Sequence, residues 1–289
     1  MFDPNALIRK GVLISLFLFL NSCSYLTSSF TADFGRNLKS AMLNHNDPQM
    51  VTEAIPAYLL LQESLLVSDP DNEDLLMSTA NLYSSYSTLT DKLDSERKQR
   101  LSQKAFELSL HSACLHKQDF CALNEKNYDD FTQIVNQSDL ADLDSLYGLG
   151  KGWANWVQAN KADWNAVAQL AQVKYIMNYV ISLKDDYKNG EAYLYMGVME
   201  SIIPPALGGK PEVAKHNFEK ALQLSDNKNL MVHLLYARHY ARMLFNRKLH
   251  DALLNTVINT PADQQGYTLS NTLAKQQAKK LLQSADDYF

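Results

Sequence analysis

Cys114, His116 and Cys121 lie within eight positions of one another, and their side chains offer three chemistries. The two thiols can join in a disulfide, stay free, or bind a metal together with the imidazole. The metal reading is the weakest. It lacks a nearby fourth ligand and the paired C-x2-C spacing that zinc sites favour. In an oxidising compartment two leftover cysteines favour a bridge. Closing so small a loop contributes roughly 2–2.5 kcal/mol by the chain-entropy model.

The third cysteine suggests different chemistry. Arg9 and Lys10 form a positive start, Gly11–Leu20 is a short apolar run, and Leu20-Asn21-Ser22-Cys23 follows. The apolar run is about half the ~20 residues that a spanning helix needs, so it reads as an export signal. Its end has the order of a lipoprotein processing site. Cleavage would leave Cys23 first, with a diacylglycerol thioether and an N-acyl chain; two or more chains make attachment durable. Ser24 follows Cys23, with no Asp there to suggest inner-membrane retention, so the expected address is the periplasmic face of the outer membrane. The expected organisation is a signal at 1–22, a Ser/Thr-rich tether at 23–31 and one helical domain at 32–289.

The remaining reactive residues do not assemble into a catalyst. The sequence lacks H-E-x-x-H and G-x-S-x-G. Gly148-Leu149-Gly150-Lys151-Gly152 is glycine-rich, but no strand precedes it and no Ser or Thr follows the Lys in frame. It reads as a helix break or a point of close packing. The seven histidines are scattered; His233 and His239 are six apart, His111 and His116 five. Arg238 and Arg242 are one turn apart, with Asp251 in the next helix, which suggests an ion pair between helices or subunits. No enzyme activity, metal or cofactor is expected.

Charge and composition exclude further classes. The net charge is −5. The segment ahead of Cys23 holds Asp3, Arg9 and Lys10 for a net +1, so the remainder stands at about −6. No basic run would attract nucleic acid. Aromatic residues make up 10%, enough to argue against disorder. Many of them fall between Tyr147 and Tyr195. Trp153, Trp156, Trp164, Tyr175 and Tyr179 form a stripe that serves either as core packing or as the wall of an apolar ligand cleft.

The elements that must position these residues are helices. Apolar spacing predicts them at about 32–45, 50–68, 72–90, 95–115, 127–136, 140–160, 163–184, 191–203, 211–225, 229–246, 248–259 and 270–287. Pro56 interrupts one of them and marks a kink or a late start. Three regions carry tetratricopeptide-like spacing: Tyr58, Leu65 and Pro70 leading into Ala80 and Tyr83; Gly197 with Ala214, Phe218 and Ala221; Ala237 and Tyr240 with Leu249, Leu253, Thr256 and Pro261. The fold class is therefore all-α: stacked antiparallel hairpins with cryptic repeats, solenoid-like in that each unit buries its face on the next.

The second of these units has an insertion. Between Gly197 and Ala214 lie about five residues more than a ~34-residue repeat allows. They fall in Pro204-Pro205-Ala206-Leu207-Gly208-Gly209-Lys210-Pro211. A hairpin tipped by a rigid Pro/Gly projection suits binding better than catalysis.

Several motifs in one order carry a family resemblance. They are Ile55-Pro56-Ala57-Tyr58-Leu59-Leu60, Trp153-Ala154-Asn155-Trp156, Asp163-Trp164-Asn165-Ala166 and the Pro204–Pro211 segment. Tyr236-Ala237-Arg238-His239-Tyr240-Ala241 and Asn271-Thr272-Leu273-Ala274-Lys275-Gln276-Gln277-Ala278 complete the set. From about Asp47 to Phe289 the chain resembles the T-component family of tripartite ATP-independent periplasmic (TRAP) transporters, the TatT-type lipoproteins. The resemblance implies an all-helical protomer, a homotrimer with pores or clefts, and association with the periplasmic solute-binding component. It also implies handling of hydrophobic or organic-acid ligands, and no catalytic residues. A lipid-anchored scaffold for envelope or outer-membrane assembly is the alternative; recovery of an outer-membrane insertion complex instead of a solute receptor would favour it.

Overall fold

The computed structural model describes residues 35–89 and 94–289. The expected signal, Cys23 and the tether lie outside the described residues. Helical turns over 35–43 (α1) lead to α2 (Pro48–Ser68), α3 (Glu73–Leu89), α4 (Ser95–His116), α5 (Tyr128–Asn136) and α6 (Leu143–Ala159). Then come α7 (Trp164–Ala168), α8 (Leu170–Leu183), α9 (Glu191–Glu200), α10 (Pro211–Leu224) and α11 (Leu230–Leu235). The chain closes with α12 (Arg247–Asn259), α13 (Thr268–Gln283) and α14 (Ala285–Tyr288). No strand occurs among the described residues.

Local sequence sets the helix starts. The Asp47 carboxylate accepts from the Gln49 and Met50 N–H groups, and Pro48 takes the first turn, where a missing N–H matters least. Asp94, Asn127, Asp163, Asn229 and Asn246 cap α4, α5, α7, α11 and α12 in the same way. Pro56 is carried inside α2, which already starts at Pro48.

Successive helices pack on one another from α2 to α13, apart from short α5 and α7, which lie beside α8. The central core joins α4, α6, α8 and α9 through Phe106, Trp153, Ile176, Met177 and Met196. A second core joins α9 to α13 through Phe218, Tyr236, Leu254 and Ala278. In it Ala214, Phe218 and Ala221 are buried on α10, which packs on α9. A Cβ on Gly197 would sit 3.0 Å from the Phe218 ring.

The stack does not end open. Leu269 and Leu273 of α13 return against Val51, Ile55 and Leu59 of α2. The Gly266 N–H donates to Asn44 Oδ1 at 2.7 Å. By length and composition α2 would cross a membrane, yet its buried side packs on α3 and α13. Its other side leaves Met50, Leu60, Leu61 and Val67 exposed.

Four expected helices differ, one of them 270–287, which is two, α13 and α14, separated at Ser284. The 163–184 helix is two, broken at Gln169, whose side chain accepts from the Trp153 indole N–H at 2.8 Å. The 191–203 helix stops at Glu200, and a turn leads to the prolines. The 229–246 helix widens into a π-helix over Tyr236–Ala241.

Candidate functional site

The Pro204–Pro211 segment folds as a small self-braced loop between α9 and α10. Pro205–Leu207 forms one 3-10 turn. The N–H groups of Leu207 and Gly209 both donate to the Pro204 carbonyl, at 2.9 and 3.1 Å, and that of Gly208 to Pro205 at 3.0 Å. Gly208 has φ +87°, a conformation that disfavours side chains. Gly209 lies so close to the Ile203 carbonyl that a Cβ there would collide with it. The loop therefore holds its shape without leaning on the core. It presents Ile202, Ile203 and Leu207, which are 50, 48 and 77% exposed. Pro211 ends it as the first residue of α10, after Lys210.

The aromatic stripe divides. Trp153 is fully buried and stacks on Phe106 at 5.2 Å. Trp156 is half-buried and stacks on the same Phe106 ring at 5.5 Å. Phe131 bridges Trp153 to Tyr175 by edge contacts. The hydroxyls of Tyr175 and Tyr179 tie α8 to the end of α5, donating to Asn136 Oδ1 (2.7 Å) and to the Ser138 carbonyl (2.8 Å). Trp164 stands apart at the start of α7, 83% exposed. A nearby surface hollow of about 380 Å³ is lined by Gln99, Arg100, Gln103, Lys104, Glu107 and Asn160, not by these rings.

Cys114 and Cys121 are joined as a disulfide. His116 points away from the sulfurs. Its Nδ1 meets Glu73 at 2.9 Å and its Nε2 meets Asp142 at 3.1 Å. Lys117 bonds the other Asp142 oxygen at 2.9 Å. Burial raises the Asp142 pKa, but Lys117, the Asp139 N–H and His116 outweigh it and hold the carboxyl below its ordinary range. The bridge fastens the end of α4 to the following loop, and the ion network fastens it to α3 and to the start of α6.

Within the chain, no ion pair joins Arg238 or Arg242 to Asp251 among the described residues. Asp251 pairs with Arg247, one turn away on α12. Arg238 donates to Gln277 Oε1 at 2.7 Å, and Arg242 to Ser284 at 3.2 Å. The first bond is to α13 and the second to its C-terminal cap. Neighbouring His239 is pushed down to about 4 by burial and by the Arg238 charge.

A family model for the TRAP transporter T-component matches residues 44–289. The chain belongs to that family. Comparison with curated proteins returned no match. Membership makes the protein an accessory component of TRAP transport. Within this T-component the π-helix falls on Tyr236–Ala241, one of the segments quoted above for the resemblance.

One cluster of this T-component escaped the sequence reading. Lys188, Asn189 and Gly190 are three consecutive left-handed residues, with φ of +48°, +56° and +75°. Such a conformation costs non-glycine residues of order 1–3 kcal/mol each, so surrounding contacts must hold it. Lys188 Nζ lies 4.7 Å from the centres of both the Tyr147 and the Tyr187 ring. It also donates to Asp144 Oδ1 at 3.2 Å, the oxygen that accepts the Tyr187 hydroxyl. Asn189 donates to the Tyr267 hydroxyl at 2.8 Å, and Gly190 fits against Leu224 where a Cβ would not. The Tyr187 hydrogen bond, aided by Lys188, lowers the Asp144 pKa. Burial lowers the Lys188 pKa against the pull of Asp144. No periodicity announces this strap, because tertiary contacts create it.

Proposed function

We propose that this T-component is a non-enzymatic lipoprotein anchored through Cys23, with its helical body in the periplasm, on the outer-membrane side. It acts as a homotrimeric adaptor that docks on the periplasmic solute-binding component of a TRAP transporter. The observation that carries the reading is the self-braced projection with Ile202, Ile203 and Leu207 facing solvent. A preformed apolar loop buries surface on binding with little loss of conformational freedom. Trp156, Tyr175 and Tyr179, backed by Trp153, form the candidate wall for hydrophobic or organic-acid ligands, with Trp164 exposed apart from them at the start of α7.

The test is binding of the purified solute receptor to immobilised protein. Leu207→Asp together with Ile203→Asp should weaken it at least tenfold while leaving the melting temperature in place. Unchanged affinity removes the projection from the interface. Sedimentation of lipid-free protein tests assembly, and a strict monomer at micromolar concentration counts against the trimer. Cys23→Ala should abolish incorporation of labelled fatty acid.

A further inference from the structure

We propose that Tyr147, Tyr187 and Asp144 form a cage for an organic ammonium ion, and that the Lys188 ammonium occupies it as a displaceable internal stand-in. Two aromatic faces and a carboxylate around one cationic nitrogen are the arrangement that recognises methylated ammonium groups. Here the rings are 5.3 Å apart and inclined by 74°, with the nitrogen 4.7 Å from each centre. Asp144 closes a third side.

Two observations separate this arrangement from an ordinary surface ion pair. First, the amine is delivered by three left-handed residues in succession. A lysine on a helix face would reach a neighbouring carboxylate without that conformation. Second, the cage opens to water. The Lys188 side chain is 42% exposed and that of Asp144 84%, while Tyr147 behind them is buried. A ligand can therefore approach from outside and displace the amine, and the strap can relax as it leaves.

The charges around the cage suit a cation. Asp144 touches the amine directly, and Glu191 on α9 adds a second negative group within electrostatic reach. Lys151 on α6 acts on Lys188, and Lys39 in α1 acts on Asp144, from farther off. A primary ammonium is strongly hydrated and gains less from aromatic faces than a methylated one. Lys188 is thus an occupant that a quaternary ammonium can outcompete.

Lys188→Gly opens the cage and suits the left-handed backbone at that position. Titration calorimetry with choline should then show binding at least about tenfold tighter than in the unaltered protein. Choline should also be preferred about tenfold over 3,3-dimethyl-1-butanol, its neutral isostere, since only the charge differs. Adding Tyr187→Leu should erase that preference. Lys188→Gln, which keeps the stem and loses the charge, is the second variant. If both variants, folded by circular dichroism, bind choline no better than the alcohol, the proposal is overturned. The measurement uses no transporter component, so its failure leaves the adaptor reading untouched.

Discussion

Two glycine-rich stretches of this T-component do opposite work. In α6, Gly148, Gly150 and Gly152 lie inside a regular helix, and each faces a different neighbour: Met77 of α3, Ile176 of α8 and Ser109 of α4. Their missing side chains let one helix be approached from three directions. At the α9–α10 joint, Gly208 has nothing within 4 Å, and Gly209 faces only its own loop. There glycine shapes a projection that the core never touches. The same residue type builds the interior in one place and a solvent-facing projection in the other. What surrounds it decides which.

The contrast can be broken deliberately. The largest effect is expected from Gly150→Leu. Even a Cβ would lie 2.8 Å from Ile176 and 3.1 Å from Met177. Overpacking there should lower stability by about 3 kcal/mol in urea unfolding. Gly148→Ala sharpens the point, since its obstacle is the flexible tip of Met77. Stability should move by less than about 1 kcal/mol, with better helix propensity offsetting the displacement.

Acid perturbs neither stretch directly and serves as a control. His239 titrates at about 4 in the folded chain against an ordinary 6.5. The unfolded chain therefore takes up a proton that the native state refuses. Stability is intact above pH 6.5 and falls by about 2–3 kcal/mol as the pH drops to 4. His239→Gln should flatten that slope, measured by urea midpoints across the range, while receptor binding through the projection stays unaltered.

Replacing Cys114 and Cys121 by Ser should remove about 2–2.5 kcal/mol by the loop-closure model, read by thermal melts. This loss belongs to the packed half, because the bridge sits at the end of α4. A change in stability similarly small to that of Gly148→Ala, about 1 kcal/mol, is expected from Gly209→Ala, because the loop does not support the core. Its clash with the Ile203 carbonyl should nevertheless deform the projection and weaken receptor binding about tenfold. A large fall in melting temperature instead would show that the loop supports the core.

Much of this was legible in the sequence because helix packing leaves periodic traces. Ala214, Phe218, Ala221 and Gly197 announced the α9–α10 contact, and the prolines announced the joint. The α6 glycines allowed two readings, and the choice between them lay with Met77, Ile176 and Ser109, which are far away in sequence. Gln169 ends α7 with nothing in its own type to signal a break. The π-helix at Tyr236–Ala241 keeps the apolar spacing of an α-helix, so its extra width is invisible to pattern. The Lys188 strap is harder still. Lysine is a poor predictor of left-handed backbone, and only Asp144, Tyr147 and Tyr267 together explain it.

The return of α13 onto α2 bears on how the chain reaches its native state. Asn44 and Gly266 are 222 positions apart, so their bond awaits nearly the whole polypeptide. Closing so long a loop is entropically slow, while most other contacts join helices that are neighbours along the chain. Until then α2 has lost one of its two buried neighbours while exposing apolar residues on its other side. A chain emerging amino end first would have α3 on α2 early, while the face that meets α13 waits for the carboxyl end.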